Sequence, residues 1–319
     1  HDSHELQSWF ISQIGTYLAA NGRKLIGWDE ILEGGLPEGA TVQSWRGMEG
    51  GLEAVAAGKN AIMSPTSHCY FDYPLSATDM EEVYQFEPIP EGMVGSGRIL
   101  GGECNMWTEH APQELVESKV FPRILAMAEV LWSPKASRDF TAFQQRKMKH
   151  DLRLNAWGVN SGLESEPLET HWEKGNDPFG VAVQVDAALE RIEGEVVFTP
   201  IAEQGTSSHH ILGSRIQVTG EGVLRAHLTR DGRPLRDAVL YPVAGHIGVH
   251  SQAVIGHDLS PYYPGGGERG LADGRLGSLD FRDGCWQATQ SENMSVTLAL
   301  PQVVQLDSLS MQCYRYQDA

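Results

Sequence analysis

Four times within the first 110 residues a short apolar run gives way to an aromatic or acidic side chain, and helical or loop sequence intervenes before the next. Lys24-Leu25-Ile26-Gly27 ends on Trp28, Thr41-Val42-Gln43-Ser44 ends on Trp45, Asn60-Ala61-Ile62-Met63 leads to Tyr70 and Asp72, and Ile99 to Gly102 leads to Trp107 and Glu109. Strands alternating with helices form parallel βα units, whose right-handed crossovers put every strand end on one face of the sheet. These side chains therefore converge. In a (β/α)8 barrel that face carries the site, and in a doubly wound sheet the site falls at a switch point. Neither a phosphate-cradling glycine loop nor GxGxxG follows any of the strands. Four strands cannot close a barrel. The expected fold class is thus α/β, the C-terminal half of a TIM (β/α)8 barrel, followed by small all-β sandwich-type domains.

Helical spacing predicts a helix over residues 6–18 (Leu6, Trp9, Phe10, Ile14, Tyr17, Leu18), with Asp2 and Glu5 as a capping box and Gly22 as its stop. Further helices are expected over 48–57 and 117–132. From about Glu164 to Pro178 the chain turns polar and reads as a linker. Beyond it, Val181–Val185, Glu195–Phe198, Arg215–Val218, Gly222–Leu228 and Ala238–Tyr241 are short strands separated by turn signals such as Thr219-Gly220 and Asp231-Gly232. The expected organisation is a half barrel over 1–163, a linker over 164–180, a small β-sandwich over 181–260 and a further β module over 261–319.

The 42 acidic against 24 basic residues give a formal charge of −18, which repels phosphate backbones and argues against a nucleic-acid partner. No run approaches the roughly 20 apolar residues that cross a bilayer, and His1-Asp2-Ser3-His4-Glu5 reads as a helix start rather than a signal peptide. Cys69, Cys104, Cys285 and Cys313 have no metal-type spacing. Cys69 and Cys104 fall near the exits of neighbouring elements, and the spacing leaves open whether they pair. His1, His4, His209, His210, His246 and His250 have no accompanying ligand cluster, so neither a metal nor another cofactor is expected.

Trp107 and Glu109 are two apart, so on an extended chain a flat apolar ring stands beside a hydrogen-bond acceptor. That pairing suits a sugar, whose axial C–H groups meet the ring while its hydroxyls meet the carboxylate. A Trp after a strand is more often a core residue than a ligand platform, so this stretch alone favours the core.

In order and spacing, Gly27-Trp28-Asp29-Glu30-Ile31-Leu32, Ser44-Trp45-Arg46-Gly47, Tyr70-Phe71-Asp72-Tyr73, Asn105-Met106-Trp107-Thr108-Glu109 and Phe121-Pro122-Arg123 through Ala128-Glu129 resemble the C-terminal half of the catalytic barrel of family 20 glycoside hydrolases, the β-N-acetylhexosaminidases. The resemblance covers about residues 4–160 and places the four strands as barrel strands five to eight. Residues about 190–260 resemble the small β domain that often follows this barrel. Leu271-Ala272-Asp273-Gly274 and Gly284-Cys285-Trp286-Gln287 resemble the start of a discoidin-like (F5/8 type C) carbohydrate-binding module.

The resemblance implies exo-acting removal of terminal N-acetylglucosamine or N-acetylgalactosamine with retention, the substrate's acetamido oxygen being the nucleophile. It implies that Trp28, Trp45 and Trp107 form the acetamido box, that Tyr70 hydrogen-bonds the acetamido oxygen, and that Asp72 and Glu109 hold outer hydroxyls. It also implies that the catalytic Asp-Glu pair, which follows barrel strand four, lies outside this chain. Asp29-Glu30 then has a structural or loop-ordering role, and Glu103 a structural role or one behind the residues that touch the sugar. The implied partners are an N-acetylhexosamine-terminated glycan and the N-terminal half of the barrel; the implied location is periplasmic, secreted or cell-surface. The alternative is a non-catalytic glycan-binding protein built on a barrel remnant. Trp286 and Gly265–Gly267 are candidate glycan or calcium contacts in the last module, with an ordinary structural role favoured.

Overall fold

A computed structural model of the chain describes residues 3–93, 97–187, 192–201, 205–256, 258–278, 283–289, 293–306 and 309–312. His1, Asp2 and Cys313 lie outside them, and with Asp2 the expected capping box. The chain divides into two compact units, His1–Glu166 and Pro167–Ala319.

The first unit opens with helix α1 (Ser3–Ala20) and builds one sheet from β1 (Ile26–Trp28), β2 (Thr41–Ser44), β3 (Asn60–Met63) and β4 (Ile99–Gly102). The strands are parallel and lie in the order β1-β2-β3-β4. Sequential parallel order without a reversal is the arrangement of a barrel wall, whereas a doubly wound sheet reverses at its switch point. All four residues of β2 are buried, as in a strand covered on both faces. Between strands run a 3-10 turn (Asp29–Leu32), α2 (Glu49–Ala56), α3 (Thr66–Cys69) and α4 (Met80–Gln85). The core joins strand and helix side chains, among them Val42, Met63, Phe71, Val83, Met127 and Phe143.

The helix expected over 117–132 is two, α5 (Val116–Val120) and α6 (Arg123–Trp132), divided at Phe121-Pro122. Proline has no N–H to continue the ladder and clashes with the preceding turn, which is why the periodicity runs through while the helix does not. Helix α7 (Phe140–Ala156) follows, its Asp139 cap accepting from the Ala142 N–H at 2.7 Å. Apolar side chains stand open at the sheet's two flanks: Trp9 (61% exposed) on α1, Ile26 on β1, Leu100 on β4 and Trp132 (90%) at the end of α6.

In the second unit, residues expected as linker form a strand. β5 (Leu168–Lys174) pairs antiparallel with β6 (Val181–Ala187) over seven residues, and β6 pairs with β9 (Arg215–Val218). Alternation in Leu168-Glu-Thr-His-Trp172 carries this strand, and its polar outward residues hid it in the composition. A second sheet contains β7 (Glu193–Pro200), β8 (Ser208–Ile211), β10 (Glu221–Arg230), β11 (Arg233–Pro234) and β12 (Val239–Ala244). Val181, Val183, Val185, Ile216 and Val218 of the first sheet share one core with Val196, Leu224, Ala226 and Val243 of the second, a sandwich arrangement. The expected boundary at 260/261 falls between paired strands, because β13 (Gln252–Ile255) is antiparallel to β14 (Val296–Ala299).

Candidate functional site

The strand exits of the first unit are tied to one another beyond the strands. The carboxylate of Asp29, just past β1, accepts from the backbone N–H groups of Trp45 (3.1 Å) and Arg46 (3.3 Å) and pairs with the Arg46 guanidinium at 2.6 Å. The carbonyl of Trp45 accepts from Thr66 N–H (2.9 Å), that of Cys69 from Asn105 N–H (2.7 Å), and that of Asn105 from Phe71 N–H (2.9 Å). Each exit is thus pinned to the next, and the side chains they carry meet.

The rings of Trp28 and Trp107 lie 5.9 Å apart at 47°, and those of Trp45 and Tyr70 lie 6.3 Å apart at 35°. Trp107 and Tyr70 influence one another, Trp107 lowering the phenol's proton affinity, so the two ring pairs are close neighbours. Tyr73 also packs against Tyr70, 5.4 Å between centroids. Burial pushes the Tyr70 phenol up to about 12, with the Trp107 side chain opposing and nearby Tyr73, Asp72 and Asp29 reinforcing. Tyr70 is therefore a protonated donor at neutral pH.

Asp72 is 2% exposed, and its Oδ1 has no hydrogen-bond partner, nor has the buried Nδ2 of Asn105. A buried carboxylate oxygen without a donor is costly, so an acceptor stands ready for one. Glu109 differs from expectation: the extended chain stops at Trp107, the next two residues turn, and Glu109 is exposed, without a hydrogen bond or ion pair to the aromatic set among the described residues. Trp107 and Glu109 accordingly do not share a strand face.

Several roles were not legible in the sequence. Both carboxylate oxygens of Glu30 hold the Trp45 indole N–H, at 3.0 and 3.1 Å. The Gln43 amide donates to Glu103 Oε1 at 2.9 Å and to Ser64 at 3.2 Å, which ties Glu103 to the strands. Arg123, 2% exposed, donates to the carbonyls of Phe71, Thr78 (2.7 Å) and Lys119 (2.8 and 3.0 Å) and lies 4.9 Å over the Phe71 ring. Lys119 Nζ donates to the Asp72 carbonyl at 3.0 Å. Burial brings the Arg123 guanidinium down to about 10, with Asp72 and Asp79 opposing. Two buried cations from the α5–α6 corner thus hold the turn that carries Tyr70 and Asp72. Lys119 and Arg123 stand four apart in the sequence, which by itself does not name the carbonyls they hold.

The aromatic surface is open rather than enclosed. Trp107 is 41% exposed, and a neighbouring cavity of about 350 Å³ is lined by Asp29, Arg46, Glu49 and Glu53 and not by the rings. Among the described residues no group of three or more His, Cys, Asp or Glu side chains is placed to hold a metal ion, and no helix is long and apolar enough to cross a membrane.

Residues 1–135 match the family model described as glycosyl hydrolase family 20, catalytic domain. The chain is similar to a beta-hexosaminidase of Porphyromonas gingivalis, 39% identical over 174 residues that cover 50% of this chain and 22% of that protein. It is similar also to a beta-N-acetylhexosaminidase of Cellulomonas fimi, 30% identical over 166 residues, covering 46% of this chain and 33% of that one. Among solved structures, a chitobiase of Flavobacterium johnsoniae is 35% identical with a TM-score of 0.44, over 50% of this chain and 25% of that one. The chain thus spans about a quarter to a third of the length of these relatives.

Proposed function

We propose that the segment matched to family 20 forms one wall of the substrate pocket of a β-N-acetylhexosaminidase that releases terminal β-linked N-acetylglucosamine or N-acetylgalactosamine from glycans. The observation that carries this reading is that the pinned strand exits bring together the Trp28–Trp107 and Trp45–Tyr70 ring pairs, centroids 5.9 and 6.3 Å apart. An acetamido group has a methyl that prefers aromatic faces and an oxygen that needs a donor. The surface offers three indoles and a protonated phenol.

In the substrate-assisted route, which sets family 20 apart from the two-carboxylate glycosidases, the acetamido oxygen attacks the anomeric carbon and retention follows. The indoles of Trp28, Trp45 and Trp107 press the acetamido group into near-attack position. The Tyr70 O–H donates to the acetamido oxygen and steadies the charge of the oxazolinium intermediate. Asp72 Oδ1 accepts from a sugar hydroxyl, and Glu109 holds another at the rim.

The proton for the leaving group does not come from Asp29 or Glu30. Asp29 is committed to the Trp45 and Arg46 backbone and Glu30 to the Trp45 indole, so both are positioning residues. The acid and the acetamido-orienting carboxylate belong to a segment outside this chain, which would complete the barrel. Residues 261–319 are read as the start of a discoidin-like carbohydrate-binding module on the motifs at Leu271–Gly274 and Gly284–Gln287. The glycans acted on are then periplasmic or extracellular.

The test is hydrolysis of a p-nitrophenyl N-acetylglucosaminide. The 319-residue chain alone is expected to show no turnover, and a protein carrying it behind a complete barrel to turn over. Turnover by the chain alone that Glu30→Gln abolishes contradicts the assignment of roles.

A further inference from the structure

Cys69 is the last residue of α3 and directly precedes Tyr70; Cys104 lies two residues past β4 and directly precedes Asn105. Parallel pairing continues past the strands at this point through an isolated bridge between Tyr70 and Asn105. Two backbone bonds fix its register: Asn105 N–H to the Cys69 carbonyl at 2.7 Å and Phe71 N–H to the Asn105 carbonyl at 2.9 Å. That register makes Cys69 the lateral neighbour of Cys104. Paired chains run about 4.8 Å apart, inside the roughly 4.4 to 6.8 Å between Cα atoms that a disulfide spans.

Both side chains belong to the same apolar cluster, Cys69 fully buried and Cys104 at its edge, and both are free thiols. Burial pushes each thiol up, and the Cys69 thiol is raised further by Cys104, as by a near neighbour. Two reduced core cysteines would account for burial alone, but not for their placement side by side across paired segments.

We propose that Cys69 and Cys104 are a thiol–disulfide site that covalently joins the exit of α3 to the exit of β4. The oxidant is a small-molecule disulfide of the oxidised-glutathione class. The Cys104 thiolate, the more open of the two, attacks it, forming a mixed disulfide and releasing one thiolate. The Cys69 thiolate then displaces the second, forming the Sγ–Sγ bond. Two protein thiols give up two protons and two electrons, and the small disulfide is reduced to two thiols. The raised thiol of Cys69 makes the second displacement slow near neutral pH.

The bond would tie together the two segments that end in Tyr70 and Trp107. It needs no sugar at the site and stands apart from the functional reading above.

The experiment holds the intact chain with oxidised glutathione, or with dithiothreitol, then unfolds it, alkylates it with iodoacetamide and maps the peptides by mass. The expected result is a Cys69–Cys104 linked peptide in the oxidised sample only, with a thermal midpoint higher by about 5 °C than in the reduced one. Cys104→Ser is expected to abolish the linked peptide and the shift together. Separate alkylated Cys69 and Cys104 peptides after oxidation, or Cys69 linked to Cys285 or Cys313 instead, overturn the proposal. Mapping of the unaltered chain decides this even where the variant does not fold.

Discussion

The indole N–H of Trp45 is held by both carboxylate oxygens of Glu30, at 3.0 and 3.1 Å. The contact spans two strand exits, since Glu30 follows β1 and Trp45 follows β2, and it fixes the indole that packs, tilted, against Tyr70. A hydrogen bond to a charged acceptor across a partly buried gap contributes about 1 to 2 kcal/mol. Glu30→Ala is expected to lower stability by that amount and to shift the Trp45 emission, while Glu30→Gln, which keeps one acceptor oxygen, falls between. Denaturant midpoints and the fluorescence difference against Trp45→Phe measure both.

Arg123 gathers the carbonyls of Phe71, Thr78 and Lys119 beneath the Tyr70–Asp72 turn. Arg123→Met keeps the volume but leaves buried carbonyls unpaired, with an expected loss of about 3 kcal/mol. Arg123→Lys has one donor group where a planar fork is needed and recovers only part of it. Urea midpoints for the two variants give the ordering.

The Tyr70 phenol, pushed up to about 12 by burial, keeps its proton to higher pH in the folded chain than in the unfolded one. Between the ordinary tyrosine value of about 10 and about 12 the unfolded state binds fewer protons, so stability falls as pH rises through that window. Tyr84, also raised to about 12 by burial and by Glu129, behaves alike. In alkaline difference spectra at about pH 10, Tyr70→Phe is expected to remove almost no phenolate signal. Loss of an ordinary tyrosine's share would show Tyr70 to be unperturbed.

Gly50 sits in the first turn of α2, where alanine ordinarily adds up to about 1 kcal/mol of helix stability. Here an added Cβ would come within 2.7 Å of Asp29 Cβ. Gly50→Ala is therefore expected to destabilise by about 1 to 3 kcal/mol, because Asp29 must move off the Trp45 and Arg46 N–H groups. Thermal melts check the sign.

The strand ends were readable because burial on both faces leaves an apolar run that stops where the chain reaches the site. Val42 and Met63 announce their strands, and Trp28, Trp45, Tyr70 and Trp107 come together as parallel order requires. The break at Pro122 was hidden by apolar spacing that continues across it, and β5 by charged outward residues that resemble a linker. Glu109 could not be placed by parity, since a turn begins directly after Trp107. The holding groups were illegible for a different reason. Glu30, Lys119 and Arg123 act on residues far away in sequence, through backbone carbonyls and one indole N–H, and neither periodicity nor composition records such partners.

Saturation-transfer NMR of the chain with N-acetylglucosamine, and with glucose as control, tests most directly whether the aromatic surface reads an acetamido group. The expected result is saturation strongest at the acetamido methyl, absent for glucose and lost in Trp45→Ala and Trp107→Ala. Equal saturation of the two sugars, or a methyl signal that survives both substitutions, would contradict the assignment of Trp28, Trp45, Tyr70 and Trp107 to the acetamido pocket.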